Sequence, residues 1–388
     1  MHKNKYNVLV LYGGVAPEHE VSIITAIQVM NALLEAGHQV LPVYISKQGT
    51  WHKGDNRFLD PYFYKDLQKV SNSGVVTILP ANKDIHLLKK GFLGFGAEES
   101  GVDVVFPVFH GQNGEDGTIQ GLLELTNIPY VGSGVLGGAA GMDKFVTKRL
   151  AESLGVRVAK DFLVTKDVNN EKEIHLEARK IGFPLYVKPA NLGSSIGVTR
   201  VEKLSDLDNA LEVAFCYDNR VLLEEAIDFD KEVNISIMGN NPYTLSITEQ
   251  PVASGKTLSF NDKYLSDSGK SKGMASLKRL IPAPISASQL KTIQDSATKI
   301  FGAINGKGLA RVDFMIDKKG VVFFNEINTI PGSLAFFLWE KSGFPFSKLV
   351  DHLLELAIQS WDQKQQKVST FESNILEKVG TGGLKGKA

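Results

Sequence analysis

Apolar and polar positions along the first third of the chain fall into blocks that separate strands from helices. Asn7 to Tyr12 reads as a strand, because Val8 to Tyr12 is an unbroken apolar run of the kind a sheet covered on both faces requires, and Gly13-Gly14 ends it. From Ser22 to Ala36 the apolar residues Ile23, Ile27, Met30, Leu33 and Leu34 recur at helical spacing, and Gly37 stands where a helix places its terminating glycine. Gln39 to Ile45 and Asp103 to Phe109 repeat the strand pattern, Thr118 to Leu125 reads as helix, and Pro129 to Val131 as a further short strand. Strand, turn and helix in repetition build a parallel sheet with crossovers, and such sheets take ligands in the loops beyond the carboxyl ends of their strands. Gly13-Gly14 and the polar run His110 to Gly117 fall at those ends.

The texture changes near Met142. Asp143 to Leu154 reads as a basic helix; strands are expected at Leu185 to Lys188, Ile196 to Arg200, Val221 to Glu225 and Val233 to Met238, with a helix from Leu204 to Phe215 among them. This is an α+β pattern. A polar loop from Ser259 to Ala275, a helix from Ser288 to Ile304, strands at Ala310 to Ile316 and Val321 to Asn328, and a closing helix from Ser347 to Gln359 follow. The Gly- and Lys-rich tail has little to bury and is expected to be disordered.

Composition narrows the function classes. The chain has 388 residues, which suggests two or three domains. Its 43 basic and 43 acidic residues cancel, against the basic excess of a general nucleic-acid binder. A single cysteine excludes an intramolecular disulfide framework and fits a reducing compartment. No apolar stretch approaches membrane-spanning length. The expectation is a cytoplasmic protein with neither nucleic-acid nor membrane partners.

Three glycine motifs compete as phosphate loops. Gly132-Ser-Gly134-Val-Leu-Gly137 has the dinucleotide spacing, yet it comes late in its unit and no acidic strand end follows at the right distance, so a small-residue turn at a junction is the better reading. Ser254 to Thr257 matches the end of a nucleoside-triphosphate loop, but Gln250 stands where its first glycine belongs. In Lys188-Pro-Ala-Asn-Leu-Gly193-Ser194-Ser195-Ile-Gly197, a lysine ends a strand and a Gly-Ser-Ser hairpin loop offers hydroxyls and backbone N–H groups, which suits a polyphosphate; a plain hairpin is the competing reading.

The segment Arg311 to Asn328 is more specific. Asp317 to Gly320 makes a four-residue turn. Placing Ile316 opposite Val321 puts Asp313 opposite Phe324 and Arg311 opposite Glu326. Alternation then gathers Arg311, Asp313, Glu326 and Asn328 on one face, and Val312, Phe314, Ile316, Val321, Phe323 and Ile327 on the core face. Three oxygen ligands on one pleated face suit a hard cation such as Mg²⁺ bridging phosphates, with an arginine to stabilise developing charge. A solvated face with a cross-strand ion pair is the bland alternative; the upstream lysine-and-glycine loop favours ATP.

The motifs in order resemble the ATP-grasp superfamily, and within it the D-alanine–D-alanine ligase family, over about residues 5 to 360. They are Gly13-Gly14 through Glu18 to Ser22, Phe109-His110 through Gly117 with Gln120-Gly121, Pro129 to Gly134, Met142-Asp143-Lys144, Lys188 to Gly197, Arg311-Val-Asp313, and Asn325 to Gly332.

The resemblance implies an ATP-grasp fold, α/β and α+β, whose first unit carries a parallel sheet. Its domains are an N-terminal substrate-binding domain over 1–141, a central subdomain over 142–238, and a C-terminal subdomain over 239–372 with a lid loop over 259–275, followed by a tail over 373–388. It implies phosphorylation of one D-alanine by ATP and attack on the acyl phosphate by the amine of a second, in a homodimer serving cell-wall synthesis. Two Mg²⁺ ions are implied, with Mn²⁺ as the alternative, on Asp313, Glu326 and Asn328. Glu18 and His110 would hold the first D-alanine. Lys144, Lys188, Ser194, Ser195 and Lys263 would hold ATP phosphates, Glu224, Glu225 and Ile227 the adenine, and Glu232 the ribose. Tyr264 would close the lid with Ser194 and Glu18, and Arg311 with the Gly332 N–H would stabilise the oxyanion.

One stretch departs from the family pattern. Small and hydroxyl residues usually follow the Pro-Gly pair, one of them holding the carboxylate of the second D-alanine, whereas this chain continues Ser333-Leu-Ala-Phe336-Phe337-Leu-Trp339. Phe337 stands at that position, with Ser333 as the candidate substitute. D-lactate and D-serine are therefore the alternative acceptors.

Overall fold

The computed structural model describes residues 5–66, 69–70, 73–81, 84–91, 94–98, 101–252 and 279–373. The Ser254–Thr257 motif, the lid loop with Lys263 and Tyr264, and the tail beyond residue 373 lie outside them.

β1 (Asn7–Gly13) pairs in parallel with β2 (Gln39–Ile45), and β2 carries the antiparallel β3 (Trp51–Lys53). A separate antiparallel sheet of β4 (Val76–Ala81), β5 (Asp84–Gly91) and β6 (Gly94–Glu98) packs nearby, and β7 (Val104–Phe109) returns to pair in parallel with β1. The apolar run of β1 is divided between two cores. Val8, Val10 and Tyr12 face α1 (His19–Glu35), while Leu9 and Leu11 face Val105, Phe109 and Leu123 of α2 (Thr118–Thr126). Burial on both faces is what an unbroken apolar strand predicts. Helix α1 begins three residues earlier than the periodicity suggests, so that Glu18 is its N-cap.

α3 (Val135–Met142) and α4 (Lys144–Ser153) lead into the second sheet, made of β8 (Asp161–Thr165), β9 (Leu185–Pro189), β10 (Thr199–Val201) and β11 (Arg220–Glu225) in the order β10–β9–β11–β8, all antiparallel. α5 (Glu171–Ile181) and α6 (Leu207–Phe215) cover it, burying Ile174, Leu207 and Leu211 against Val187 and Leu223. The strand expected from Ile196 starts only at Thr199, because the chain before it turns through Ser194 and Ser195 at φ 51° and 58°. The dinucleotide-like glycines make a packing seam: a Cβ on Gly308 would stand 2.8 Å from the Gly132 backbone.

The third sheet runs β13–β12–β16–β17, from β12 (Phe229–Gly239), β13 (Tyr243–Leu245), β16 (Leu309–Asp317) and β17 (Val322–Asn328), with α7 (Ala287–Ala303) packed on it. The two-residue strands β14 (Gln250–Pro251) and β15 (Arg279–Leu280) pair beside it. Since β12 pairs with β13 and β16, we place the start of the third unit at Phe229, ahead of the expected 239. A short left-handed turn over Gly332–Ala335, then α8 (Phe336–Lys341) and α9 (Phe346–Gln365), bring the chain back onto the first unit.

The hairpin register differs from the simple count. Ile316 faces Val322 and Phe314 faces Phe324; a bulge at Asn325 then sets Asp313 opposite Glu326 and Arg311 opposite Asn328. One extra residue exchanges the faces of everything before it. Val322 and Phe324 therefore pack in the core in place of Val321 and Phe323, while Glu326 and Asn328 keep the face they share with Arg311 and Asp313.

Candidate functional site

The three units meet at one cleft, lined by Glu18, His110, Glu115, Lys144, Ser194, Arg311, Glu326, Asn328 and Gly332 among others. Glu18 enters from the N-terminus of α1 and is buried. The Ser194 hydroxyl donates to its Oε1, which joins the loop of the second unit to the first. The carboxylate lies between two glycines. A Cβ on Gly111 would stand 2.8 Å from Oε2, and one on Gly193 3.0 Å from it. Ordinary carbon–oxygen contact is wider than that, so both positions leave no room for a side chain.

On the opposite wall, Arg311 is buried and forks onto Asp313, with Nε to Oδ1 at 2.7 Å and Nη2 to Oδ2 at 2.6 Å. Burial works against the guanidinium charge, but Asp313 outweighs it and holds Arg311 above its usual range. Asn328 Nδ2 donates to Asp313 Oδ2 at 3.3 Å. Glu326 and Asn328 line the cleft; Asp313 sits behind them, engaged by Arg311.

His110 is fully buried, and Thr25 Oγ1 lies 3.0 Å from its Nε2. Burial and then the Arg311 charge push the imidazole down to about 4, so at neutral pH it is uncharged. Thr25 Oγ1 also accepts from the Ser333 N–H at 3.2 Å, tying α1 to the Gly332 turn. Ser333, Leu334 and Ala335 all have φ between 47° and 54°, a left-handed run that costs non-glycine residues roughly 1–2 kcal/mol each. Ser333 itself is buried and is not among the residues lining the cleft.

Glu115 lies in the polar run His110 to Gly117, where the sequence assigns it no role. It accepts from the N–H of Gly111 at 2.8 Å and of Ile330 at 3.3 Å, bracing the turn after β7 against the strand-to-turn exit of β17. Burial, and next the charge of Glu18, push its carboxyl up to about 8. A buried carboxyl beside a second acid resists ionisation.

The nucleotide candidates form a second cluster. Lys144 donates to Leu192 O at 2.6 Å and lies 3.6 Å from Glu326. Lys188 pairs with Glu224 Oε1 at 2.5 Å, and Lys148 grips the other oxygen of the same carboxylate. Burial opposes the Glu224 charge, yet the two lysines hold its carboxyl down at about 2. Each oxygen of Glu224 thus accepts from one ammonium group. Lys148 carried one signal in the sequence, its i+4 spacing from Lys144 on one helix face. Glu225 accepts weakly from the Lys160 N–H at 3.4 Å, Ile227 follows it with its N–H on Glu225 O at 3.0 Å, and Glu232 lies opposite Met315 on β12. Ser195 follows Ser194 in the loop and is not among the residues lining the cleft.

This arrangement can hold an anionic nucleotide near Lys144 and Lys188, a small ammonium-bearing molecule at Glu18, and developing negative charge at Arg311. Comparison with known proteins agrees in extent. The model described as D-ala D-ala ligase N-terminus matches residues 7–133, and that described as D-ala D-ala ligase C-terminus matches residues 150–355. The chain is 38% identical over 375 residues to the D-alanine–D-alanine ligase of Geobacillus kaustophilus, covering 95% of this chain and 99% of that one. It is 39% identical over 376 residues to that of a Thermoanaerobacter species, with 93% and 98% covered. Among solved structures, the D-alanine–D-alanine ligase of Coxiella burnetii superposes with a TM-score of 0.79 at 29% identity, covering 94% of this chain and 97% of that one. The VanG D-Ala:D-Ser ligase of Enterococcus faecalis gives 0.74 at 30%, with 92% and 100% covered.

Proposed function

Because the chain belongs to the D-alanine–D-alanine ligase family, we propose that it joins two D-alanine molecules, using ATP, to give D-alanyl-D-alanine, ADP and phosphate for cell-wall synthesis. One observation carries the reading: Glu18 of the first unit, Ser194 of the second, and Arg311 with Gly332 of the third converge on a single cleft.

In this reading Glu18 holds the ammonium of the donor D-alanine, leaving its carboxylate toward Arg311. Lys144 and Lys188 hold the ATP phosphates. Transfer of the terminal phosphoryl group to the donor carboxylate releases ADP and makes an acyl phosphate. The acceptor amine attacks the acyl carbon, Arg311 and the Gly332 N–H stabilise the oxyanion, and collapse expels phosphate. His110, neutral, bonds without adding charge beside Arg311.

Asp313, Glu326 and Asn328 are oxygen donors gathered by register on one strand face, a donor set that fits Mg²⁺, two ions being the expectation and Mn²⁺ the alternative. When bound, the ion supplies neutralisation of phosphate charge.

The roles of Glu224, Glu225, Ile227 and Glu232 at adenine and ribose, and of Lys263 and Tyr264 in a lid, belong to this reading. So do a cytoplasmic location and a homodimer; among the described residues no helix is long and apolar enough to cross a membrane. The test is phosphate release from ATP and Mg²⁺ with D-alanine alone, then with D-serine or D-lactate added, and identification of products by mass. D-alanyl-D-alanine supports the reading. A mixed product as the main species moves the acceptor, and no phosphate release with any D-acid overturns it.

A further inference from the structure

Thr25 of α1 is buried and is not among the residues lining the cleft, yet it touches His110, which is, and Ser333, which follows Gly332. Its Oγ1 lies 3.0 Å from His110 Nε2 and accepts from the Ser333 N–H at 3.2 Å. A hydroxyl that accepts from a backbone amide still has its own proton to give, and His110 Nε2 is the acceptor beside it. A second hydrogen bond joins the His110 ring to the Ile330 backbone and favours a proton on the ring. The neutral ring carries one proton, so the two bonds together place it on Nδ1 and leave Nε2 bare toward Thr25. Ile330 also gives its N–H to Glu115 Oε1 at 3.3 Å. The turn that follows is strained, with Ser333, Leu334 and Ala335 all at φ between 47° and 54°. Such a run persists only where its surroundings hold it. The side chains that hold it, Thr25 at Ser333 and Glu115 with His110 at Ile330, all come from the first unit. Gly332, between the two anchored positions, lines the cleft.

We propose that Thr25 is a positioning residue for ligation: its hydroxyl, donating to His110 Nε2 and accepting from the Ser333 N–H, fixes the imidazole and the oxyanion-binding turn against each other. The assignment rests on the ligase reading and deepens it. Ligation needs the Gly332 N–H aimed at the point where negative charge develops, and a donor displaced from that point loses most of its effect. The anchors at Ile330 and Ser333 flank Gly332, and the one at Ser333 is the Thr25 hydroxyl. The same hydroxyl holds the ring in one tautomer, so the group beside Arg311 stays uncharged and in place. Valine has nearly the outline of threonine without the hydroxyl, so Thr25→Val removes both bonds and keeps the packing. It leaves the Ser333 N–H and His110 Nε2 buried without their partner.

Nitrogen NMR of full-length protein labelled at histidine reads the ring state, and initial rates of the same preparations with ATP, Mg²⁺ and D-alanine read the kinetics. In wild type at neutral pH the His110 signals, identified by their loss in His110→Gln, should show a protonated Nδ1 and a bare Nε2. Thr25→Val should lower kcat on the order of 10- to 100-fold, the effect of buried hydrogen bonds left unmade. It should leave the KM for ATP and for the first D-alanine within about twofold, the signature of an interaction that acts in the transition state. Thr25→Ser keeps the hydroxyl and should recover most of the rate. A role for Thr25 in packing alone gives the reverse order, with Val near wild type and Ser impaired. That order overturns the assignment, and so does a wild-type His110 with its proton on Nε2. If Thr25→Val does not fold, the wild-type ring state and the Thr25→Ser rate decide: a bare Nε2 with a near-wild-type rate supports the assignment, and failure of either overturns it. Wild type with a bare Nε2 that forms no dipeptide removes the ligase reading, and the role in ligation with it, while the hydrogen-bonded chain itself stands.

Discussion

Arg311 and Asp313, two residues apart on β16, bind each other through both arms of a fork, at 2.7 and 2.6 Å. Alternation puts neighbours at i and i+2 on the same face, so this pair is built into the strand. It keeps a buried guanidinium charged at the point where the cleft must meet negative charge.

Arg311→Met should therefore cut kcat on the order of 10² to 10³-fold, as expected for removing one donor to an oxyanion. It should also cost about 3–5 kcal/mol of stability, because Asp313 is left buried without its counter-charge. Arg311→Lys keeps the charge but not the fork, so it should recover stability more than rate. Phosphate-release kinetics and denaturant unfolding of the same preparations separate the two losses. A Met variant with wild-type kcat would take Arg311 out of the mechanism.

Glu224 joins Lys148 and Lys188 in the second cluster. Glu224→Gln leaves Lys188 without its carboxylate, while Lys148 keeps Asp161 at 3.2 Å, and should destabilise the protein by about 3–5 kcal/mol. It should raise the KM for ATP more than that for D-alanine, since Lys188 loses its positioning. The folded carboxyl is held at about 2, below its ordinary 4.5, so its contribution is present above pH 4.5 and is lost as pH falls toward 2. The acid limb of a stability–pH curve should be shallower in the variant over that window.

Much of this was legible in the sequence, and the exceptions have physical causes. Short apolar runs bounded by glycine gave β1, β2 and β7, since a strand buried on both faces has to be apolar throughout. The face shared by Arg311, Asp313, Glu326 and Asn328 came from alternation, although the bulge at Asn325 exchanged which of Val321 to Phe324 enter the core. A bulge is one extra residue and leaves no periodic trace. β4 to β6 were not read, because their mixture of Gly, Lys and apolar residues alternates poorly. Glu115 and Lys148 owe their importance to burial beside residues far off in sequence, and the chain from Ser333 through Thr25 to His110 joins positions no local pattern relates.

Glu115 predicts a pH dependence of opposite sign to that of Glu224. Its folded carboxyl titrates near 8 against an ordinary 4.5, so the unfolded chain loses its proton first as pH rises. The contribution is whole below 4.5 and is lost on the way up to 8, with a slope of at most about 1.4 kcal/mol per pH unit. His110, lowered from 6.5 to about 4, works the other way between those values. The two slopes oppose each other from about 4.5 to 6.5, and above 6.5 only the Glu115 slope remains. Glu115→Gln should thus flatten the decline between pH 6.5 and 8 when unfolding is followed by urea titration at each pH. Parallel wild-type and variant curves there would mean that Glu115 is ionised in the folded protein at neutral pH.

Gly193 supplies the sharpest steric test, because the residue it would crowd is the one proposed to hold the donor ammonium. A Cβ at this position would stand 3.0 Å from Glu18 Oε2 and 3.1 Å from Oε1, with the carboxylate also confined by Gly111 and bonded by Ser194. In Gly193→Ala the carboxylate must shift by a few tenths of an ångström or the Ser194 loop must move away from it. Either movement weakens the contact between the first and second units at the donor pocket. Overpacking of this kind typically costs 1–3 kcal/mol, so the KM for the first D-alanine should rise on the order of 10- to 100-fold. The KM for ATP should change much less, since Lys144 and Lys188 hold the phosphates from other elements. The two constants can be read from one set of initial rates at varied D-alanine and ATP. Equal increases in both would mean that Gly193 serves the phosphate loop, and that Glu18 is not the donor anchor.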